Sequence, residues 1–205
     1  MADDKTRVLL VCMGNICRSP TAEGVLRERL RQRHDADRVE LDSAGTHGFH
    51  IGKAPDPRAQ EAARRRGIDI SDLRARQVDW SDYEVFDLIL AMDAANAEIL
   101  QADCPPEHAE KIGMFLDYAA GRSEREVPDP YFGGERGFEY VLDLIQEASD
   151  GLIDALRRRG HAVELQGMTS GLHGIRLADD GTIHGAADPR REGVALAVPA
   201  PGDTE

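Results

Sequence analysis

Val8-Leu9-Leu10-Val11-Cys12-Met13-Gly14-Asn15-Ile16-Cys17-Arg18-Ser19-Pro20 is the stretch from which the fold can be read. The run from Thr6 to Val11 is short, β-branched and leucine-rich with almost no alternation, the pattern of a parallel strand buried on both faces. It ends directly in a thiol. A loop from Cys12 to Arg18 follows. Ser19 as a natural N-cap, Pro20 at the first helical position and Glu23 in the first turn then announce a helix. Ala22, Val25, Leu26 and Leu30 share one face of it, and Arg27, Glu28, Arg31 and Arg33 lie mostly on the others.

The same alternation of strand and helix continues along the chain. Val39 to Asp42 reads as a second strand, running into Ser43-Ala44-Gly45-Thr46 and a loop with His47, Phe49 and His50. Asp56 caps a helix whose first residue is Pro57. Arg64, Arg65 and Arg66 in its last turn read as dipole complementation on a solvated face before Gly67. Residues 68–77 read as an irregular linker. Phe86 to Ala91 is a third strand, Asp93 caps the helix carrying Ala97, Ile99 and Leu100, and Lys111 to Leu116 is a fourth strand. Prolines on both sides of Asp129 make Val127 to Tyr131 a loop. From Glu135 to about Gly160 runs a long amphipathic helix that places Phe138, Val141, Ile145, Ala148, Leu152 and Leu156 on one face.

These elements predict an α/β three-layer sandwich, a four-stranded parallel sheet with helices on both faces. Ligands in such sheets sit beyond the carboxyl ends of the strands, where Cys12 lies. Residues 1–160 form the expected domain. Residues 161–205, rich in Gly, Asp and Ala without helical period, form a C-terminal extension of unassigned role. In it 172–177 and 182–185 could pair as a hairpin across Asp179-Asp180-Gly181, and a disordered tail fits as well.

Bulk properties narrow the function classes. A length of 205 residues with 41% hydrophobic and 31% charged residues is that of a globular chain with one main domain. A formal net charge of -13 argues against nucleic acid held on a general basic surface, so any phosphate chemistry is local. The polar N-terminus and the lack of a long uncharged apolar run point to a soluble, cytoplasmic protein without membrane attachment. Three cysteines, two of them in one loop, suggest a reactive thiol in a reducing compartment more than a disulfide framework.

A dianionic phosphoryl group calls for converging backbone N–H donors, a cation able to grip two oxygens, and a helix N-terminus aimed at it. Met13, Gly14, Asn15, Ile16 and Cys17 supply the amides, Arg18 the bidentate guanidinium, and the helix after Ser19 the dipole. The same field favours the thiolate of Cys12, which is placed for in-line attack on phosphorus. A buried strand-end cysteine is the bland alternative, but it leaves Gly14, Arg18 and Ser19-Pro20 as coincidences. Cys12 and Cys17 alone are too few ligands for a metal site, and no cofactor is expected.

Cysteine, five residues, arginine and serine between a strand and a helix resemble the protein tyrosine phosphatase signature. The fuller string from Val11 to Pro20, close to the N-terminus, is similar to the low-molecular-weight branch of that group. Ser43-Ala44-Gly45-Thr46, Asp56-Pro57-Arg58, Ala75-Arg76-Gln77, Phe86-Asp87 with Met92-Asp93, and Asp129-Pro130-Tyr131 extend the resemblance over about residues 5–158. It implies hydrolysis of aryl phosphate monoesters, from phosphotyrosine proteins or small molecules, through a phosphocysteine intermediate, with a tyrosine kinase as an expected partner.

By that resemblance Cys12 is the nucleophile, Arg18 the phosphate clamp, and Asp129 the general acid that then activates water. Ser19 would hydrogen-bond the sulfur, and Asn15 and Ser43 would support the loop. Phe49, Tyr131 and Phe132 are candidate walls of a slot for a phenyl phosphate, with Ile16 in its floor. Many relatives place a histidine where this chain has Leu73, and His50 is a candidate substitute. Cys17 is close enough in sequence to form a protective disulfide with Cys12 on oxidation. Cys104 is expected to be inert. Two alternatives compete: an arsenate reductase of the same fold, which needs further relay cysteines, and a non-catalytic phosphotyrosine-binding module, which needs neither Cys12 nor Asp129. A few dozen residues of the extension resemble the C-terminal end of gamma-glutamyltransferases, without a candidate nucleophile.

Overall fold

The computed structural model describes residues 5–158, 174–177, 183–186 and 197–198. The chain divides into two compact units, Met1–Gly160 and His161–Glu205. In the first, β1 (Thr6–Cys12), β2 (Val39–Gly45), β3 (Leu88–Ala91) and β4 (Ile112–Met114) form a parallel sheet in the order β2-β1-β3-β4. Strand β1 is central, with Val11 opposite Ala44 on one side and Ala91 on the other.

Residues Val8 to Val11 are all fully buried, which explains their lack of alternation. The pleat divides them between two apolar layers. Val8 and Leu10 pack with α1 (Arg18–Gln32), α2 (Pro57–Arg65) and α5 (Glu135–Arg158). Leu9 and Val11 pack with Tyr83 and Phe86 at α3 (Asp82–Val85) and with Leu100 of α4 (Ala94–Asp103). Burial of each such Leu or Val side chain stabilises the fold by roughly 1.5–3 kcal/mol. The expected face of α5 is buried throughout, from Phe138 to Leu156. Close packing is strict at Gly151, where a Cβ would stand 1.9 Å from the Tyr118 carbonyl oxygen.

Several boundaries differ from the sequence reading. Helix α1 begins at Arg18 with Cys17 as N-cap and no side-chain cap. Ser19 and Pro20 are therefore inside its first turn, and Glu23 is beyond it, because the loop winds directly into the helix. Strand β3 starts at Leu88, since Phe86 N–H still closes α3 on Asp82. Strand β4 is trimmed to Ile112–Met114 by 3-10 turns at Pro106–Lys111 and Phe115–Tyr118. The arginine run does more than face water: Arg65 pairs with Glu135 and Glu139, and Arg66 with Glu139 and Asp143, strapping α2 to α5. Asp56 and Asp93 cap α2 and α4 as expected, accepting from Arg58 N–H and Asn96 N–H.

In the second unit, β5 (Gly174–Leu177) pairs antiparallel with β6 (Ile183–Ala186), and β7 (Ala197–Val198) pairs with β6. The expected turn at Asp179-Asp180-Gly181 lies outside the described residues. No helix among the described residues is long and apolar enough to cross a membrane.

Candidate active site

Strand β1 delivers Cys12 to the base of a cleft of about 390 Å³, lined by Cys12, Met13, Gly14, Ile16, Cys17, Arg18, Phe49, His50, Asp129, Tyr131 and Phe132. Four of the loop carbonyls are satisfied by other parts of the chain. Cys12 C=O accepts from Thr46 N–H (2.9 Å), Met13 C=O from His47 N–H (2.9 Å), Ile16 C=O from Asp56 N–H (2.7 Å), and Cys17 C=O from the Thr21 hydroxyl (2.6 Å). Asn15 N–H donates to Cys12 Sγ at 3.3 Å. Among the described residues the amides of Met13, Gly14, Ile16 and Cys17 find no protein acceptor. A loop with bonded carbonyls and free amides beside a cleft fits an anion cradle. Close approach demands Gly45 in the segment below, where a Cβ would stand 2.8 Å from Met13 O.

Asn15 locks this loop. Its backbone has φ of +53°, the left-handed region that Asn tolerates. Its side chain donates to Ser19 Oγ (2.9 Å) and Ser43 Oγ (3.0 Å) and accepts from Arg76 N–H (2.9 Å). Ser19 Oγ lies 3.1 Å from Cys12 Sγ and 3.3 Å from Ala44 O. One hydroxyl hydrogen thus has two acceptors in reach, and a negative sulfur would draw it away from the carbonyl. Asn15, Ser19 and Ser43 are buried beneath the loop, so their side chains support the cradle without lining the cleft.

Arg18 is buried, with Nη1 on Asp93 Oδ2 (2.5 Å) and on Val127 O (3.1 Å). Its Nη2 is 3.5 Å from Asp129 Oδ2. Burial acts against its charge, but Cys12, Asp93 and Asp129 outweigh burial and raise its pKa above the ordinary value. Asp129 is partly exposed at the cleft, with Oδ1 held by Tyr131 N–H at 3.0 Å. The Cys12 loop, the Arg18 guanidinium and the Asp129 carboxyl group therefore meet from positions more than a hundred residues apart.

A sequence model of one family, described as low molecular weight phosphotyrosine protein phosphatase, matches residues 7–162. The chain belongs to that family. A low molecular weight protein-tyrosine-phosphatase of Streptomyces coelicolor is 41% identical over 156 residues, 75% of this chain and 94% of the relative. Solved structures agree. A protein tyrosine phosphatase from Entamoeba histolytica, with Hepes in its active site, aligns at TM-score 0.72 and 39% identity, over 75% of this chain and 97% of that one. YfkJ from Bacillus subtilis aligns at TM-score 0.72 and 37% identity, over 77% and 98%.

As a low-molecular-weight phosphatase family member, this chain has its own arrangement beneath the loop. Leu73 packs against the main core, and His50 sits at the cleft with its Cδ2 3.0 Å from where a Gly14 Cβ would be. Among the described residues His50 makes no side-chain hydrogen bond to Asn15, Ser19 or Ser43, so it does not serve as the substitute suggested by the sequence. The network ends instead on Glu23, whose Oε2 accepts from Ser43 Oγ at 2.6 Å. Sequence reading missed Glu23 and also the grip of Asp93 on Arg18. The carboxylates were visible, but their partners lie 20 and 75 residues away.

Burial pushes the Glu23 pKa up from 4.5 to about 7, with Asp42 adding to the rise and Ser43 and Arg27 opposing it. A carboxyl group raised in this way contributes its stability fully below the unfolded value and loses it as pH rises through the folded one. The loss falls between about pH 4.5 and 7 and amounts to roughly 3 kcal/mol at 1.36 kcal/mol per pKa unit. Glu23→Gln keeps an acceptor for Ser43 but cannot ionise. Its urea-unfolding free energy should fall less over that window than that of the wild type, and parallel curves would contradict the assignment.

Proposed function

We propose that the protein is a protein-tyrosine phosphatase that hydrolyses aryl phosphate monoesters through a phosphocysteine. The single observation that carries the reading is the convergence of Cys12, Arg18 and Asp129 on one cleft with free loop amides. Family membership supports the same reaction class.

In this reading the phosphoryl group settles on the loop amides, and Arg18, oriented by Asp93, turns its fork onto two phosphate oxygens. Cys12 Sγ attacks phosphorus in line as the P–O bond breaks, and Asp129 gives its proton to the departing oxygen. The same carboxylate then takes a proton from water, which attacks phosphorus and releases phosphate. Ser19 donates to the sulfur as it leaves. Phe49, Tyr131 and Phe132 form the rim, with Phe132 95% exposed and free to meet a substrate ring. Ile16 lines the cleft, so a long aryl phosphate reaches Cys12 while a short alkyl phosphate loses the apolar contacts. Phosphotyrosine peptide should be cleaved at a kcat/KM at least about 100-fold above that of the matched phosphoserine peptide, the sum of lost ring contacts and a poorer leaving group. Equal rates on both would contradict it.

The substrate is then a phosphotyrosine protein, with a tyrosine kinase as the partner that supplies it, or a small aryl phosphate, encountered in the cytoplasm. Residues 161–205 are a separate appendage to this domain. The arsenate reductase alternative gains nothing from Cys104, which is outside the cleft lining and donates to Pro105 O at 3.3 Å.

Cys17 adds redox control to this reading. Burial pushes its thiol well above the ordinary range, with Asp56 and the Cys12 sulfur adding and Arg58 opposing, so it is a thiol at neutral pH. Peroxide oxidises the Cys12 sulfur to a sulfenic acid. The Cys17 sulfur then attacks it, forming the disulfide and releasing water. Dithiothreitol should restore nearly full activity to oxidised wild type but only a fraction to Cys17→Ser. Equal recovery would remove the idea.

A further inference from the structure

The segment that carries Asp129 has few ties to the rest of the domain. Pro128 and Pro130 lack N–H donors. Val127 is anchored to Met92 O and Arg18, and Gly134 O accepts from Gly137 N–H of α5; for residues 128–133 between them, among the described residues, two hydrogen bonds reach outward: Arg18 to Asp129 at 3.5 Å, and Arg58 Nη1 to the Tyr131 carbonyl at 3.0 Å. The remaining bonds, Tyr131 N–H to Asp129 and Gly133 N–H to Pro130 O, are internal. Once a phosphate occupies Arg18 Nη2, the first outward tie is given up. The Arg58 bond is then the polar tether that remains.

Arg58 is held at both ends. Its Nε and Nη2 grip Asp56 at 3.0 and 2.8 Å in a bidentate pair. Its guanidinium carbon lies 5.4 Å from the Tyr131 ring centroid and 4.8 Å from that of Phe138, which is buried in α5. Asp56 N–H in turn donates to Ile16 O in the phosphate loop at 2.7 Å. One continuous strut thus runs from Ile16 through Asp56 and Arg58 to Tyr131. The amide of that same Tyr131 fixes Asp129 Oδ1.

We infer that Arg58 is a positioning residue, a strut between the nucleophile loop and the acid loop that fixes where Asp129 meets the leaving oxygen. The inference rests on the reading of Asp129 as the acid. A misplaced acid harms substrates in proportion to their need for a proton, whereas a merely loosened fold harms all substrates alike. The test is kcat/KM, which covers every step through departure of the leaving group, across aryl phosphates from p-nitrophenyl to phenyl and phosphotyrosine. Arg58→Met retains length and apolar contact without the forked donors. It should lose on the order of 10- to 100-fold on the poor leaving groups and little on p-nitrophenyl phosphate, with unchanged inhibition by inorganic phosphate. Arg58→Lys, able to hold Asp56 or the carbonyl but not both, should fall between and covers the case in which the Met variant misfolds. Uniform loss across the series, or none, overturns the strut. Asp129→Asn in the same assays separates the two ideas. A steep dependence there with a flat one in both Arg58 variants sinks the strut alone, and a flat dependence in Asp129→Asn sinks the acid assignment and the strut together.

Discussion

Cys12→Ser should hydrolyse p-nitrophenyl phosphate slower than wild type by on the order of 10⁵-fold or more, a loss of the size seen when a covalent nucleophile is removed elsewhere, yet should still bind inorganic phosphate. A serine hydroxyl is a weak nucleophile at neutral pH, and the side chain that Cys12 Sγ contacts among the described residues is the Ser19 hydroxyl, which is not a base. The cradle itself survives. Its amides belong to Met13, Gly14, Ile16 and Cys17, and Arg18 remains fixed by Asp93 and Val127. The new hydroxyl can take over the contacts of the sulfur with Asn15 N–H and Ser19. Turnover and phosphate affinity are measured separately, the second by calorimetry. Retained turnover would remove Cys12 from the mechanism, and loss of both would show only that the loop had collapsed.

Asp129→Asn should have the second-largest effect, with a size that depends on the substrate. An amide keeps the bond from Tyr131 N–H but has no proton to give at neutral pH. Loss of a general acid costs about 10²–10⁴-fold where the leaving oxygen needs that proton. Phosphotyrosine and phenyl phosphate should show the full loss in kcat/KM, and p-nitrophenyl phosphate much less, because nitrophenolate departs readily as the anion. A plot of log kcat/KM against leaving-group pKa should steepen. An unchanged slope would place the proton donor elsewhere.

What could be read in the sequence and what could not divide along sequence distance. The strand, loop and helix around Cys12 were legible because each signal is local: an apolar run, a glycine, an arginine six residues past the thiol. The helices starting at Asp56 and Asp93 were legible for the same reason. Ser19 is the instructive miss. A serine before a proline reads as an N-cap, but the loop winds into α1 two residues earlier, and the Ser19 hydroxyl turns to Cys12 and Ala44. Tertiary demand overrode a local preference. Arg65 and Arg66 show the same from the other side, since a helix-end charge run gives no sign that carboxylates on α5 lie opposite. Asp93 on Arg18, Glu23 under Ser43 and Arg58 on Tyr131 are contacts that only the folded sheet and its crossing helices create. Asp129 was reached by resemblance and by its prolines; geometry adds that Arg18 and Tyr131 hold its two oxygens.

Trapping the covalent intermediate tests the central claim most directly. Wild-type enzyme and p-nitrophenyl phosphate are mixed, quenched within milliseconds, digested and mapped by mass spectrometry. A phosphoryl group is expected on the peptide carrying Cys12, formed with a burst of nitrophenolate and absent from Cys12→Ser. Steady turnover with no adduct, or an adduct on any other residue, would contradict it.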